Sequence, residues 1–328
     1  MKIPVLYIVV PCYNESDTLQ YTAPLFLEEL TRMIQKEKVS DKSRILFVDD
    51  GSSDSTWEII SVLCKRNEFF EGVSLSRNQG HQNALYAGIM EAKDKCDIII
   101  TADCDGQDDI TAVEKMVDGY ISGSDIVYGV RKSRKTDSFA KKSSAGLFYR
   151  FMKLMGVETV YNHADYRLIT SEVAEVLSEF TEVNLYLRGI IPLIGFNSSV
   201  VEYDRKERKK GESHYTIRKM VSLAINAITG FSVRPLRLIS VLGFFVSMLS
   251  FVGIIWILIQ HFNDNTVSGW SSTLCIVCFV SGVQLLSLGV VGEYIGKIYM
   301  EVKNRPRYII NKRAEKSLAG KENFRNEG

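Results

Sequence analysis

The sequence predicts an α/β fold built on an open, mostly parallel sheet, and three observations carry that expectation. Apolar, β-branched runs alternate with helix-like segments from the N-terminus to about residue 130. Each run ends in a polar cluster, as strands do when their carboxyl ends line a ligand crevice. Two long uncharged stretches then break the globular pattern, so a different kind of element follows the sheet.

The elements read in order. "VLYIVV" is a buried first strand ended by Pro11 and the cluster "PCYNES"; it is short and lacks a cleavage pattern, so it is not read as a signal peptide. A helix follows Ser16, and the second strand "ILFVD" runs into "DDGSSD", with Ser53 or Asp54 placed to cap the next helix. The third strand, "GVSLS", ends in "RNQGHQN", and a helix begins after Gly80. "DIIIT" precedes "DCDGQDD" and a helix from about Ile110; "DIVYG" then leads into "GVRKSR". Five polar strand ends converge on one crevice.

The 328 residues exceed the usual single-domain size. Lys plus Arg is 40 and Asp plus Glu 39, so the net charge of +1 gives no ground for a nucleic-acid partner. The six cysteines form no paired framework, which fits a reducing compartment. Cys275 and Cys278 have CxxC spacing inside an apolar run, where they read as small apolar helix residues and not as metal ligands.

Leu238 to Ile259 and Ser271 to Gly292 are each 22 residues without charge. Such lengths cross a bilayer, and soluble core helices rarely run so far uncharged, so the pair reads as a transmembrane hairpin. The loop "HFNDNTVSGW" has no Lys or Arg, whereas the flanks carry Arg234, Arg237, Lys297, Lys303, Arg305 and Arg307. The positive-inside rule then puts both termini and the sheet domain in the cytoplasm. "HYTIRKMVSLAINAITGFSV" suits a helix lying in the membrane interface or an ordinary amphipathic surface helix. The expected organisation is a catalytic domain over 1–212, a juxtamembrane helix over 213–235, spans over 236–260 and 271–294, and a basic tail over 295–328.

The chemistry sits in the strand ends. Asp103-x-Asp105 puts two carboxylates on a turn, a hard-oxygen pair suited to Mg2+ or Mn2+ together with substrate phosphates, although aspartates at turns also cap and solvate. Asp108 and Asp109 stand just before a helix and read as caps. Asp49 and Asp50 close the second strand, where a carboxylate suits a base or ribose hydroxyl, and Glu15 is similarly placed after the first. A dinucleotide fold is the competitor, but no GxGxxG follows the first strand and no GxxxxGK[ST] occurs.

Together "VVPCYNE", "VDDGSSDST", "NQGHQNAL", "DCDGQDD", "GVRKSR" and "DYRLI" resemble, in order and approximate spacing, the GT-A fold glycosyltransferases of family 2. "ERKKGESHYTIRKM", the two spans and "GEYIGKIYMEVKNRPRYII" are similar to bacterial polyprenyl-phosphate glycosyltransferases of the bactoprenol glucosyltransferase type, relatives of dolichol-phosphate mannose synthase. The resemblance covers roughly residues 3 to 310. It implies a nucleotide-sugar pocket around Pro11, Tyr13, Glu15 and Asp50, with Asp103 and Asp105 serving ribose, diphosphate and metal and Gln107 completing the metal shell. Three positions depart from the family pattern: Cys104 replaces Ala, Asp109 replaces Pro, and His214 replaces Lys, where a His makes phosphate binding pH-dependent.

The resemblance implies inverting transfer of one sugar, with UDP-glucose favoured, UDP-N-acetylglucosamine next and GDP-mannose third, to undecaprenyl or another polyprenyl phosphate. A phosphate monoester is largely dianionic at neutral pH, so the acceptor needs cationic positioning more than a strong base. Arg131 is the first candidate, then Arg205 and Arg208, whose alternative is a solvated or headgroup-facing charge run. Asp165 orients the nucleophile and Arg167 pairs with a carboxylate or phosphate, or the two form a structural pair. His214 is a further acceptor contact. Transfer to a lipid hydroxyl is the alternative reaction, and it needs Asp165 as a base. A processive synthase is disfavoured because no QxxRW occurs: Trp57, Trp256 and Trp270 do not follow Arg. An idle membrane partner is disfavoured by the retained polar clusters. The expected setting is the bacterial inner membrane, with a homo-oligomer, a flippase and a downstream glycosyltransferase as partners.

Overall fold

The computed structural model describes residues 3–131, 163–182, 186–204, 229, 232–262 and 269–315. These fall into two compact units, one carrying every strand and the other the two long apolar helices.

The first unit is built as the apolar runs dictate. The expected strands form as β1 (Leu6–Cys12), β2 (Arg44–Asp49), β3 (Phe70–Leu75), β4 (Ile98–Thr101) and β5 (Ile126–Arg131). Between them lie α1 (Ser16–Gln35), α2 (Thr56–Arg66), α3 (His81–Ala92) and α4 (Ala112–Ile121). Then come β6 (His163–Thr170), α5 (Ser171–Ser178), α6 (Leu187–Leu193) and β7 (Ser198–Tyr203). The last strand is β8 (Ile310–Ala314).

One sheet of eight strands results, in the order β7-β5-β6-β4-β1-β2-β3-β8. The pairs β1–β2, β1–β4, β2–β3 and β5–β7 are parallel; β4–β6, β5–β6 and β3–β8 are antiparallel. The expected α/β class and mostly parallel sheet are present. The central strand β1 is buried at every residue, so both faces must be covered, and its continuous apolar run reflects that. Leu6, Ile8 and Val10 face a core shared with Phe26 and Leu30 of α1, Ile60 of α2 and Met116 of α4. The opposite face takes α3, whose Gly88 lies so close to Val9 and Val48 that a Cβ there would meet their methyls at 2.3 and 2.8 Å.

Three strands, β6, β7 and β8, come from segments whose extended character was not expected. β6 inserts antiparallel between β4 and β5, with Thr101 opposite Arg167. Within the expected basic tail over 295–328, β8 pairs with β3 through Gly72–Ala314 and Val73–Arg313 and covers what would otherwise be the sheet edge.

The second unit holds α7 (Arg234–Phe262) and α8 (Trp270–Val302), which pack together; Tyr294 Oη donates to the Ser232 carbonyl at 2.6 Å. Both are long and apolar enough to cross a membrane, over Arg234–Gly253 and Phe279–Val302. Phe244, Leu249, Leu285 and Leu286 are exposed on them, a large apolar surface that hydrocarbon suits and water does not. Most of the expected juxtamembrane helix over 213–235 lies outside the described residues, as do Arg205, Arg208 and His214.

Candidate active site

The site is assembled from strand ends. β1 ends at Cys12, and Asn14, at φ +53°, turns the chain toward α1. Its amide donates to Ser52 Oγ at 3.0 Å and its Oδ1 accepts from the Ser53 amide at 2.9 Å, which ties the first loop to the second. Asp54 adds to the tie, accepting from the amides of Ser16 and Thr56 at 3.2 and 3.1 Å. Burial raises its pKa, but the hydrogen bonds from Thr56 and Ser16 outweigh burial and leave the carboxyl below its ordinary value.

Four of the five expected nucleotide contacts, all but Asp103, occupy different environments. Pro11 is buried in β1, Tyr13 is exposed, and Glu15 is half-buried at the start of α1, its amide bonded to Thr56 Oγ1 at 3.0 Å. Asp50 turns its carboxylate to the loop after β3, accepting from the amides of Gln79 and Gly80 at 2.7 and 2.9 Å. Gly51 at φ +65° makes this possible: a Cβ there would lie 2.5 Å from the Arg77 carbonyl carbon.

The turn after β4 carries Asp103, Asp105 and Gln107. Asp105 Oδ1 accepts from the Gln107 amide at 3.0 Å across Gly106, which is at φ +66°. Gln107 itself is buried. Burial, with the like charges of Asp108, Asp165 and Asp105, pushes the Asp103 carboxyl up to about 6 despite the opposing pull of His81. Asp109 accepts from Thr111 as a cap residue would, at 3.3 Å from the amide. Asp108 does not cap. It is buried and accepts from Tyr203 Oη at 2.7 Å and Arg131 Nη2 at 3.3 Å, while its buried Oδ2 has no hydrogen-bond partner among the described residues. Arg131, at the end of β5, is thus held at the turn, with its Nε bonded to Tyr203 Oη at 3.1 Å.

The register of β6 against β4 places Asp165 across from Asp103, two residues beyond the Thr101–Arg167 pair. Thr101 Oγ1 donates to the Asp165 carbonyl. The Asp165 carboxylate, 4% exposed, collects donors. Arg167 Nη2 lies 2.6 Å from Oδ1, Arg188 Nε and Nη2 bond to Oδ1 and Oδ2 at 3.1 and 2.8 Å, and Gln82 Nε2 reaches Oδ2 at 3.1 Å. His81 Nε2 lies 3.4 Å from Oδ2 and 3.6 Å from Asp103 Oδ1, so it links the two carboxylates. Burial alone would raise the Asp165 pKa; the His81 hydrogen bond and the charges of Arg167 and Arg188 outweigh it and hold the carboxyl well below the ordinary range.

Arg167 takes the carboxylate among its expected partners: it is 1% exposed, with Nη1 on the Leu187 carbonyl at 3.2 Å and Nη2 on Asp165. His81, Gln82 and Arg188 were absent from the sequence-based site. Arg188 had one signal, a lone cation in the apolar run "LYLRGIIPLIGF"; His81 and Gln82 had only their place in the third polar strand end.

The carboxylates of Asp103 and Asp105 are hard-oxygen donors of the kind Mg2+ and Mn2+ take, and the crowding that raises Asp103 is the field a cation relieves. Among the described residues no three His, Cys, Asp or Glu side chains gather to hold an ion alone. The pair therefore fits a cation whose shell is completed by substrate oxygens.

Comparison with known proteins places this geometry. A model of glycosyl transferase family 2 matches residues 7–177, and a model described as the GtrB C-terminal hairpin matches residues 234–298. The chain is 46% identical to the uncharacterized glycosyltransferase YkoT of Bacillus subtilis over 94% of its length and 91% of that protein. It is 38% identical to the bactoprenol glucosyl transferase of Shigella phage SfII, covering 93% of this chain and 97% of that one. Among solved structures, a Pyrobaculum calidifontis mannosyltransferase in complex with GDP-Man and Mn2+ aligns with 69% of this chain and 63% of its own, at 15% identity and a TM-score of 0.46. With a matching model over half its length and relatives of this identity along nearly all of it, the chain belongs to glycosyl transferase family 2.

Proposed function

We propose that the chain transfers a single sugar from a nucleotide-sugar, UDP-glucose before UDP-N-acetylglucosamine, to undecaprenyl or another polyprenyl phosphate. The observation that carries this reading is the Asp103-x-Asp105 turn at the end of β4, set across from the cation-rich Asp165 cluster. The names of relatives such as the phage bactoprenol glucosyl transferase support the acceptor. Asp103 and Asp105 would hold Mg2+ or Mn2+, which supplies neutralising charge to a diphosphate leaving group. Pro11, Tyr13, Glu15 and Asp50 would line the nucleoside side, and Gln107 would complete the metal shell.

The Asp165 cluster favours a phosphate acceptor over a lipid hydroxyl. A hydroxyl needs a base to take its proton, and a carboxylate held well below the ordinary range by two guanidiniums and a His is a weak base. A phosphate monoester needs no such base at neutral pH. What it needs is orientation, and Arg131, fixed by Asp108 and Tyr203, offers it, with Arg205, Arg208 and His214 as further contacts. Attack from the face opposite the leaving group inverts the anomeric centre. Residues 1–212 form the catalytic region on this reading, 213–235 the juxtamembrane helix, and 236–260 and 271–294 the spans, with both ends cytoplasmic by their Lys and Arg. The product would serve a flippase and a later glycosyltransferase.

The test is a panel of sugar nucleotides offered to the detergent-purified chain with undecaprenyl phosphate or diacylglycerol, products being weighed by mass spectrometry. One glycosyl phosphate from one donor is expected. A product on diacylglycerol alone would overturn the acceptor.

A further inference from the structure

Asp165 gathers more positive charge than one carboxylate balances. Arg167 and Arg188 both pair with it, and both are placed by the fold: Arg167 by β6, Arg188 by the first turn of α6. Arg167 is fully engaged, with 1% of its surface exposed. Arg188 is 39% exposed and engaged on one edge only. Its Nε and Nη2 meet the two Asp165 oxygens side-on, at 3.1 and 2.8 Å, which fixes the guanidinium plane. A side-on pair leaves the other fork, Nη1 with the second hydrogen of Nη2, directed away from that carboxylate. Among the described residues Nη1 has no hydrogen-bond partner.

The surroundings hold this edge in place near the reaction. The Leu187 amide donates to Gln82 Oε1 at 3.1 Å while Gln82 Nε2 bonds Asp165, so α6 and α3 grip the same carboxylate. Leu187, Ile190 and Ile191 are buried and anchor the helix. His81 shares Asp165 Oδ2 with Arg188 and lies 3.6 Å from Asp103, so the fork belongs to the neighbourhood of the Asp103-x-Asp105 turn.

We propose that Arg188 grips a phosphate: its outer fork takes two oxygens of either the donor diphosphate or the acceptor monophosphate, with Asp165, Gln82 and His81 as positioning residues. The choice of phosphates rests on the proposed sugar transfer; the fork itself rests on the side-on geometry. A preorganised guanidinium loses less freedom on meeting a phosphate than a mobile one, which is the use of burying its other edge.

Calorimetric titration of the full-length protein in detergent with Mg2+, using inorganic pyrophosphate and farnesyl phosphate as probes, tests this without turnover. Arg188→Gln is expected to weaken at least one probe roughly tenfold or more at an unchanged thermal midpoint, with Arg188→Lys recovering part of the loss. Loss of pyrophosphate alone assigns the fork to the donor; loss of farnesyl phosphate alone assigns it to the acceptor. Unchanged affinity for both probes overturns the proposal. So does an equal loss in Arg188→Gln and Arg188→Lys together with a lower thermal midpoint, which marks a purely structural ion pair. Wild-type protein that binds both probes yet transfers no sugar sinks the proposed reaction while leaving Arg188 to be judged by the affinity ratios. Wild-type protein that binds neither sinks both.

Discussion

Asp165 and Arg167 form a buried pair whose members cannot be removed singly without leaving a charge behind. Asp165→Asn strands Arg167 at 1% exposure, so a stability loss of about 3–5 kcal/mol is expected in denaturant titration. Adding Arg167→Met to Asp165→Asn should restore a large part of it, because an apolar replacement of similar length removes the unpaired charge. An equal loss in both variants would contradict the pairing. Gly51 makes a second prediction at this scale. Its φ of +65° and the 2.5 Å approach to Arg77 leave no room for a methyl, so Gly51→Ala should cost more than about 1 kcal/mol and displace the loop that Asp50 holds. An alanine variant of wild-type thermal midpoint would show that the loop is not built on that turn.

Between elements, α1 and the loop after it are tied to α4 through Glu114, which pairs with Arg32, Lys36 and Lys38 at 2.9, 2.9 and 3.0 Å. Hydrogen bonds from Lys36 and Lys38 lower its carboxyl from 4.5 to about 2. The folded state therefore holds the proton less tightly than the unfolded one, so this contribution is complete above about pH 4.5 and disappears as pH falls through about 2. Glu114→Gln should cost about 1 kcal/mol at neutral pH, limited by the exposure of the lysines and by salt, and progressively less as pH falls toward 2 and below. A pH-independent difference would contradict the ion-pair origin. The strand β8 makes a harsher prediction. Ending the chain after Arg305 removes the partner of β3, so the protein should aggregate or melt several degrees below the full chain. A truncated protein that melts with the full chain would contradict an integral β8.

These elements also mark the limit of what the chain reveals before folding. The five early strands are legible because both faces are buried and their apolar runs are continuous; β6, "HADYRLIT", mixes charge into its run because Asp165 and Arg167 satisfy each other inside the sheet. β8, "INKRA", has no apolar run because it is an edge strand. Asp103 and Asp105 stand out by spacing, whereas Gln82 meets Asp165 across 83 residues and Arg188 meets it across 23, contacts that exist only once β6 lies beside β4.

In the whole molecule, one chain joins a catalytic sheet unit to a hairpin long and apolar enough to sit in a membrane. A soluble sugar nucleotide and a lipid-borne phosphate differ in where they dissolve, and an enzyme anchored in the acceptor's own phase meets that acceptor at raised effective concentration. On the proposed reading the chemistry depends on two aspartates, Asp103 and Asp105. The most direct measurement is mass-spectrometric detection of glycosyl phosphate from UDP-glucose and undecaprenyl phosphate by wild-type protein, Asp105→Asn protein and wild-type protein stripped with chelator. Product in the first sample, its loss by a hundredfold or more in the other two and its return in the stripped sample on adding Mg2+ or Mn2+ are expected, since an ion held by these carboxylates would supply several kcal/mol of charge stabilisation. Undiminished product from Asp105→Asn or from the stripped enzyme would contradict the role given to the Asp103-x-Asp105 turn.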